Sequence, residues 1–209
     1  MPEGFPPDFF RRIDDSEDEL FYTQPRLVVH IDDGAIRKVG DIYSRLLPQG
    51  GAILDLMSSW RSHLPAHIRA TRVVGLGMNR VEMENNPALN EIVVHNLNQN
   101  PELPLKEAPF DGAVVTVSIQ YMTRPVEIFR GVAKVLKPGA PFIVTFSNRM
   151  FPTKAVAIWH SLDEFDRVHL VRRYFQESGE FENMEAIDAS APTDPPSDPI
   201  WAVVGYRKA

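Results

Sequence analysis

Short apolar segments alternate with helical patterns along most of this chain, and no other feature of the sequence constrains the fold as strongly. Five segments of strand length come first: AILDLM (52–57), RVVGLGM (72–78), EIVVHNL (91–97), GAVVTVSI (112–119) and PFIVTFS (141–147). Apolar residues recur at helical spacing over 31–47, 123–136 and 162–178. Because strands alternate with helices, the sequence predicts an α/β fold with a mostly parallel sheet and helices on both faces.

The C-terminal part departs from this alternation. Two further strands are predicted at 184–189 (MEAIDA) and 200–207 (IWAVVGYR), separated by SAPTDPPSDP. This separating segment contains four prolines and has no room for a helix, so the sequence predicts an antiparallel hairpin at one edge of a seven-stranded sheet. Residues 21–209 are expected to form one domain, and the acidic, proline-rich residues 1–20 an extended arm.

Three helix boundaries have recognisable signals. Asp32 or Asp33 is suited to cap the helix at 31–47, and Pro48-Gln49-Gly50-Gly51 ends it. Lys137-Pro138-Gly139 stops the helix at 123–136, because Pro138 blocks its continuation and Gly139 tolerates the left-handed conformation. Gly179 marks the end of the helix at 162–178.

Composition excludes several classes of site and partner. The chain has no cysteine, which rules out disulfides, thiolate catalysis and Cys-ligated zinc, and no His/Asp cluster has metal-ligand spacing. A net charge of -6 without a basic stripe disfavours nucleic-acid binding. No apolar run approaches the roughly 20 residues that span a bilayer, and the N-terminus is unlike a signal peptide, so we expect a cytoplasmic protein.

The segment FDGAVVTVSIQYMTRPVEIFRGVAKVLKPGAPFIVTFSNR, residues 110–149, resembles the class I S-adenosylmethionine-dependent methyltransferases, in particular small type 11 methyltransferase-like proteins. In that family Phe-Asp opens the fourth strand, and a helix ends in a Leu-Lys-Pro-Gly-Gly turn before the fifth. Here the turn is Leu136-Lys137-Pro138-Gly139-Ala140. The likeness extends over residues 20–209 and implies a Rossmann-like fold, S-adenosylmethionine as cofactor and a small-molecule substrate.

The first strand of the family ends in Val-Leu-Asp-Leu-Gly-Cys-Gly-x-Gly, where glycines admit the cofactor and an acidic residue holds its amino group. This chain keeps Asp55 but has Met57 and Ser59 at glycine positions, with Ser58 between them and Trp60 after them. The resemblance implies an altered cofactor loop, whose contacts with the ligand come from Asp55, Met57, Ser58 and Ser59. The alternative is a strand cap in a site that no longer binds.

The second strand in the family ends in an acidic residue that pairs with the ribose hydroxyls, and here Gly77 stands at that position. We expect Gly75 and Gly77 to let the backbone pass beneath an adenosine, with Met78 packing on adenine and Asn79 bonding a ribose hydroxyl. Glu82 and Glu84 lie too far along, on the next predicted helix. Gly75-x-Gly77 is a poor dinucleotide fingerprint, because it lacks the third glycine and follows the second strand.

Polar residues also follow the third and fourth strands. By resemblance, Asn96 and Leu97 contact adenine, unless NLNQNPELP is only a polar surface loop. By the same resemblance, Ser118 and Gln120 are candidates to line the cofactor. Tyr121 faces the transferred methyl group or the substrate, or else packs against a helix.

The N-terminal segment FYTQPRLVVHID contains a second group of candidates. Tyr22, Arg26 and His30 recur every four residues and would share one face of a helix, although Pro25 interrupts it. Similar proteins close an N-terminal lid over the cofactor, which implies that Tyr22 and Arg26 bind its methionine carboxylate. His30 is a candidate general base, as is His63, but a lone histidine is more often structural.

Three polar residues after the fifth strand, Asn148, Arg149 and Lys154, are candidates to recognise a polar or acidic substrate, or else ordinary solvated groups. The combined hypothesis is a small-molecule methyltransferase. Its alternative is a methyltransferase-like protein without catalysis that serves binding or regulation, and the missing glycine fingerprint disfavours an oxidoreductase. The sequence leaves the methyl acceptor and the oligomeric state open.

Overall fold

The computed structural model describes residues 4–105 and 109–209 and contains one seven-stranded sheet. The strands are β1 (Ala52–Leu56), β2 (Arg72–Gly77), β3 (Glu91–Val94), β4 (Gly112–Thr116), β5 (Pro141–Phe146), β6 (Phe181–Asp188) and β7 (Trp201–Arg207). Their order across the sheet is β3-β2-β1-β4-β5-β7-β6. Strands β1 to β5 are parallel, and β7 pairs antiparallel with both β5 and β6. The predicted seven-stranded α/β fold with an antiparallel C-terminal hairpin is therefore confirmed.

Helices cover both faces of this sheet. They are α1 (Asp18–Tyr22), α2 (Asp33–Leu46), α3 (Arg80–Glu84), α4 (Pro125–Val135), α5 (Ala157–Ser161) and α6 (Glu164–Ser178). Alternate residues of β4 point to opposite faces, so Val114 packs in the cluster with α2 whereas Ala113 and Val115 pack in the larger cluster with α4 and α6. The helix predicted at 162–178 begins two residues later, at Glu164.

The predicted boundaries of α2 and α6 agree with the local geometry, whereas that of α4 does not. Asp32 is the residue that caps α2, since its Oδ1 accepts a 2.8 Å hydrogen bond from the Ala35 N–H. Gly139 follows α4 with a φ of 76°, and Gly179 follows α6 with the same φ. Glycine adopts this left-handed conformation without steric cost, and Gly179 is the residue that ends α6. Helix α4 ends earlier than predicted, at extended Leu136, so Gly139 instead forms the turn before β5.

The N-terminal residues are packed against the domain. Pro7–Phe10 forms a short 3-10 helix, and the rings of Phe5 and Phe10 lie in the main core beside Tyr174. The arm expected at 1–20 is thus attached along its described residues, whereas residues 1–3 lie outside the described part. Burying two phenylalanine rings stabilises this attachment by several kcal/mol, at about 1.5–3 kcal/mol for each ring.

Buried charges hold the next stretch of this segment. The Lys154 side chain is completely buried, and its Nζ donates to the Ser16 carbonyl oxygen at 2.8 Å and lies 3.2 Å from Oδ2 of Asp14. The buried carboxylate of Asp18 forms an ion pair with Arg12. The chain after β5 therefore anchors the N-terminal segment, which continues from α1 across the carboxyl ends of the parallel strands. Within the described ranges, no helix is both long and apolar enough to cross a membrane.

Candidate functional site

A cavity of about 390 Å³ lies at the carboxyl ends of β1, β2 and β4. Its walls come from the residues that follow these strands, from the N-terminal segment and from the segment after β5. The sheet order reverses between β1 and β4, since β2 continues one way from β1 and β5 the other way from β4. In open α/β sheets, ligands bind in the crevice that opens at such a reversal.

Asp55 lies in the floor of the cavity and is 2% exposed. The hydroxyls of Ser58 and Ser62 each donate a 2.6 Å hydrogen bond to its Oδ2. Burial raises the pKa of Asp55 to about 6, although the two serine hydrogen bonds oppose this shift. The result is a carboxylate that is held in place by its own loop and is still largely ionised at neutral pH.

Met57 stands where a glycine was expected and adopts a left-handed backbone with a φ of 52°. This conformation costs an ordinary residue roughly 1–2 kcal/mol. Val117, after β4, has a φ of 51°, and His63 has a φ of 53°. All three residues line the cavity. Unfavourable backbone conformations gather at functional sites, where surrounding packing enforces them.

The two glycines of β2 serve packing within the protein. A Cβ at Gly77 would lie 2.1 Å from the backbone oxygen of Ser58, and a Cβ at Gly75 would lie 2.4 Å from Leu89 Cδ1. The Ser58 N–H also donates a 2.9 Å hydrogen bond to the Leu76 carbonyl oxygen. The loop after β1 therefore lies directly against the end of β2, and Gly77 permits this close approach.

Glu82 faces this site from α3, so the expectation that it lies too far along the chain is wrong. Its side chain lines the cavity, its Oε1 accepts a 2.7 Å hydrogen bond from the Arg26 N–H, and its Oε2 accepts one of 2.7 Å from the Ser59 hydroxyl. The helix begins directly after β2, and the Asn79 side chain caps it by accepting from the Glu82 N–H. The first turn thereby brings Glu82 back over the strand end.

Arg26 lies among aromatic rings at the other side of the cavity. Its guanidinium carbon is 4.4 Å from the ring centre of Phe21 and 5.5 Å from that of Phe151. Nη2 donates to the Phe21 carbonyl oxygen at 2.9 Å, whereas Nη1 is buried without a hydrogen-bond partner within the described residues. A buried donor without a partner is costly and is commonly satisfied by a ligand or water.

Comparisons with known proteins agree with this architecture. Residues 62–144 match a family model described as a methyltransferase domain, of type 11. The matched range contains β2, β3, β4 and α4 and begins after the loop that contains Met57 and Ser59. The comparison with curated proteins found no match.

Solved structures extend the likeness to most of the chain. A methyltransferase from Thermotoga maritima, described as a possible histamine N-methyltransferase, is 15% identical with a TM-score of 0.60 over 84% of this chain and 89% of that one. A methyltransferase from Mesorhizobium loti is 18% identical with a TM-score of 0.53 over 83% and 96%. The cyclase SpnF is 16% identical with a TM-score of 0.61 over 92% and 91%.

The fold of this chain is therefore that of the class I S-adenosylmethionine-dependent methyltransferases, and residues 62–144 also match their family model. Its seven-stranded sheet has the arrangement of these proteins over most of its length. Sequence identities of this size support a shared fold and nothing finer. The roles of individual residues are therefore inferred from the geometry of this chain.

Most of the residues predicted to bind cofactor line this cavity at the carboxyl ends of the strands. They are Tyr22, Arg26, Asp55, Met57, Ser58, Ser59, Gly77, Met78, Asn79, Asn96, Leu97 and Ser118. The predicted catalytic candidates His30 and Tyr121 line it as well. Gly75 and Gln120 do not. Gly75 is covered by Leu89, and Gln120 is completely buried with its Nε2 donating to the Val117 carbonyl oxygen at 3.0 Å.

Several of these side chains are already occupied by the protein. The Asn79 amide caps α3 and donates to the Tyr22 carbonyl oxygen at 2.8 Å. The side-chain oxygen of Asn96 accepts from the Asn98 N–H at 2.9 Å, and its Nδ2 donates to Glu19. These amides therefore shape the cavity and secure the N-terminal segment, which leaves little of their hydrogen-bonding capacity for a ligand.

Tyr22, Arg26 and His30 come together without a shared helix face. α1 ends at Tyr22, and the chain after Thr23 is not helical. Tyr121 holds its hydroxyl 2.7 Å from the Phe151 N–H, from which it accepts, so its ring packs beside the segment after β5. Burial raises the pKa of Tyr121, which keeps its phenol protonated.

The charged candidates after β5 have separate roles. Arg149 lines the cavity and forms a 3.3 Å ion pair with Asp198, whereas Lys154 is the buried anchor of the N-terminal segment and is neither a substrate ligand nor a solvated charge. Sequence reasoning missed Asp18, Asn98 and Phe151, which also line the cavity. No motif marks them, because they meet only when three distant segments pack together.

Proposed function

We propose that this protein is an S-adenosylmethionine-dependent methyltransferase that acts on a small molecule. The observation that supports this most strongly is the arrangement of Asp55, Arg26 and Glu82 around one cavity at the carboxyl ends of the parallel strands. Two carboxylates and one cation match the polar groups of this ligand, which carries an ammonium, a carboxylate and a ribose.

The methionine end fits the floor of the cavity. Asp55 offers an ionised carboxylate to the ammonium. The hydroxyls of Ser58 and Ser62 both donate to its Oδ2, which leaves Oδ1 to accept from the ligand. The buried Nη1 of Arg26 is a donor without a partner in the described chain and suits the ligand's carboxylate. Each of these charge-assisted hydrogen bonds contributes about 1.5–3 kcal/mol.

Glu82 provides the carboxylate for the ribose, which Gly77 at the end of β2 cannot provide. It is buried, and each of its oxygens accepts one hydrogen bond from the protein, so each can accept another from a ribose hydroxyl. Met78 and the buried Leu97 line the same cavity and offer apolar contact to an adenine.

The chain itself has little chemistry to perform. The bound sulfonium supplies an activated methyl group, so the protein has to align an acceptor and exclude water. The N-terminal segment serves the second task, because it crosses the cavity and is fastened on both sides. Asn79 holds the Tyr22 carbonyl oxygen, and the Trp60 Nε1–H donates a 2.8 Å hydrogen bond to the Val28 carbonyl oxygen.

Calorimetric titration with S-adenosylmethionine tests this proposal. We expect saturable binding and a thermal shift, since a ligand at a hundred times its Kd stabilises the folded state by about 2.7 kcal/mol. Glu82→Gln should weaken binding roughly tenfold or more through loss of a charged acceptor. Glu84→Gln is the matched control, because Glu84 lies on the same helix, is exposed and lines no part of the cavity.

Absence of both heat and thermal shift at millimolar ligand would refute the proposal. Equal losses in the two glutamine variants would refute the role of Glu82. Tight binding without methyl transfer to any acceptor in a broad metabolite panel would favour the alternative of a binding protein that lacks catalysis.

A further inference from the structure

Three polar side chains beside the proposed cofactor position have no hydrogen bond or ion pair within the described residues: His30, Arg61 and His63. All three line the main cavity. Arg61 and His63 are two residues apart in the loop after β1, and His30 reaches the same cavity from the N-terminal segment. Among the described residues, the Arg61 guanidinium carbon lies 4.3 Å from the ring centre of Trp60, and the ring centres of His30 and Phe151 are 5.0 Å apart. The charges of Arg26 and Glu82 also act on His30.

The surroundings of this cluster are apolar. Val28, Val29 and Ile31 come from the N-terminal segment, and Trp60, Met150 and Phe151 from the loops after β1 and β5. Trp60 is fixed to the Val28 carbonyl oxygen, so the two segments form one wall. A cavity lined mainly by apolar residues with a few polar groups is the usual composition of a small-molecule site.

Among the described residues, three arginines and three carboxylates line the cavity, and Arg61 is the arginine that has neither an ion pair nor a part in the proposed cofactor site. The cations are Arg26, Arg61 and Arg149, of which Arg149 is paired with Asp198. The carboxylates are Asp18, which is paired with Arg12, and Asp55 and Glu82, which belong to the proposed cofactor site.

The two imidazoles are held neutral. Burial lowers the pKa of His63 to about 4, assisted by Arg61 and His30, and burial also lowers the pKa of His30, where Arg26 acts in the same direction and Glu82 opposes. A neutral imidazole nitrogen accepts a hydrogen bond from a hydroxyl or N–H group.

We propose that His30, Arg61 and His63 form the acceptor subsite and that the methyl acceptor is a small carboxylic acid with an aromatic or apolar body and a hydroxyl or N–H group. The Arg61 guanidinium binds the carboxylate, the body lies against Trp60 and Phe151, and an imidazole accepts from the hydroxyl or N–H. Arg61 and His63 also line a second, open cavity of about 520 Å³, so the carboxylate end of the acid remains accessible to solvent. This inference rests on the proposed function, because it assigns the acceptor of that reaction.

Binding of 4-hydroxybenzoate and its neutral analogue 4-hydroxybenzamide provides the test. The two probes share ring and hydroxyl and differ in charge. Each is titrated into the full chain by calorimetry, with and without S-adenosylmethionine, while NMR follows the imidazole resonances of His30 and His63, assigned through His→Gln variants. We expect the benzoate to bind at least tenfold more tightly than the benzamide and to shift both imidazoles.

Arg61→Gln should remove this preference, whereas Arg172→Gln, which makes the same charge change on the exposed face of α6, should keep it. Equal affinity of the two probes, unchanged imidazole resonances or an unaffected Arg61→Gln preference would each overturn the subsite. Such results would leave S-adenosylmethionine binding intact. Failure of the proposed function is seen separately, as absent binding of S-adenosylmethionine in the same titration series.

Discussion

The Ser58 hydroxyl donates a 2.6 Å hydrogen bond to Oδ2 of Asp55, so a serine in the loop after β1 holds the carboxylate in the cavity floor. Ser62 donates to the same oxygen, and the Asn86 amide donates to Ser62 in turn. This chain of hydrogen bonds keeps a charged group in place although it is almost completely buried. The buried charge of Asp55 therefore lowers the free energy of unfolding of the ligand-free protein.

Asp55→Asn is expected to stabilise the ligand-free protein. The pKa of Asp55 is raised to about 6 in the folded state, so its contribution to folding is most favourable in acid and is lost as the pH rises through 6. At pH 7.5 the variant should gain about 1–3 kcal/mol in urea unfolding and lose S-adenosylmethionine binding. Asp41→Asn, at an exposed position of α2, should change neither. A destabilised Asp55→Asn variant would contradict this account.

His63 should make the protein sensitive to acid. Its pKa is lowered to about 4, so the unfolded chain takes up a proton below pH 6.5 that the folded state excludes, and stability falls between pH 6.5 and 4. Asp55 acts in the opposite direction over part of this range. His63→Asn should gain about 2 kcal/mol relative to the parent at pH 5 and little at pH 8, measured by chemical unfolding. His169→Asn, on exposed α6 surface, serves as the control, and a gain independent of pH would exclude this explanation.

Met57 allows backbone strain to be measured directly. Met57→Ala and Met57→Gly both remove its contacts with the core, but only glycine accepts the φ of 52° without steric cost. We expect the glycine variant to be more stable than the alanine variant by about 0.5–1 kcal/mol, the reverse of the usual order in a strand or helix. Urea unfolding of the two variants side by side provides the comparison, and an alanine variant that is the more stable would show that the strain is absent.

Lys154→Met should release the N-terminal segment from the cavity. Nζ of Lys154 bonds the Ser16 carbonyl oxygen and lies 3.7 Å from the buried carboxylate of Asp18, so its loss removes one of the two cations that face Asp18. Removing one member of a buried ion pair costs about 3–5 kcal/mol. Hydrogen exchange of residues 12–30 should accelerate at least tenfold, while Lys134→Met, at an exposed position of α4, leaves it unchanged. Equal exchange in both variants would mean that other contacts hold the segment.

The loop after β1 shows where sequence reasoning succeeded and where it could not. Asp55 at the end of an apolar strand correctly indicated the floor of the cavity, because the periodicity of neighbouring residues already places a strand end there. The sequence had no means of showing that Met57 adopts the backbone of a glycine, or that Ser58 packs on Gly77. Both depend on how the loop after β1 meets β2, which is a contact between separate segments.

The alternation of apolar runs and helical patterns was sufficient to predict the sheet, its parallel strands and the C-terminal hairpin, since these follow from local periodicity and from the length of the connections. Only the tertiary structure decided that Glu82 faces the cavity, that Lys154 is a buried anchor and that His30, Arg61 and His63 form a cluster without hydrogen-bond partners among the described residues. Side-chain roles of this kind depend on which distant segments pack together, and one-dimensional spacing does not contain that information.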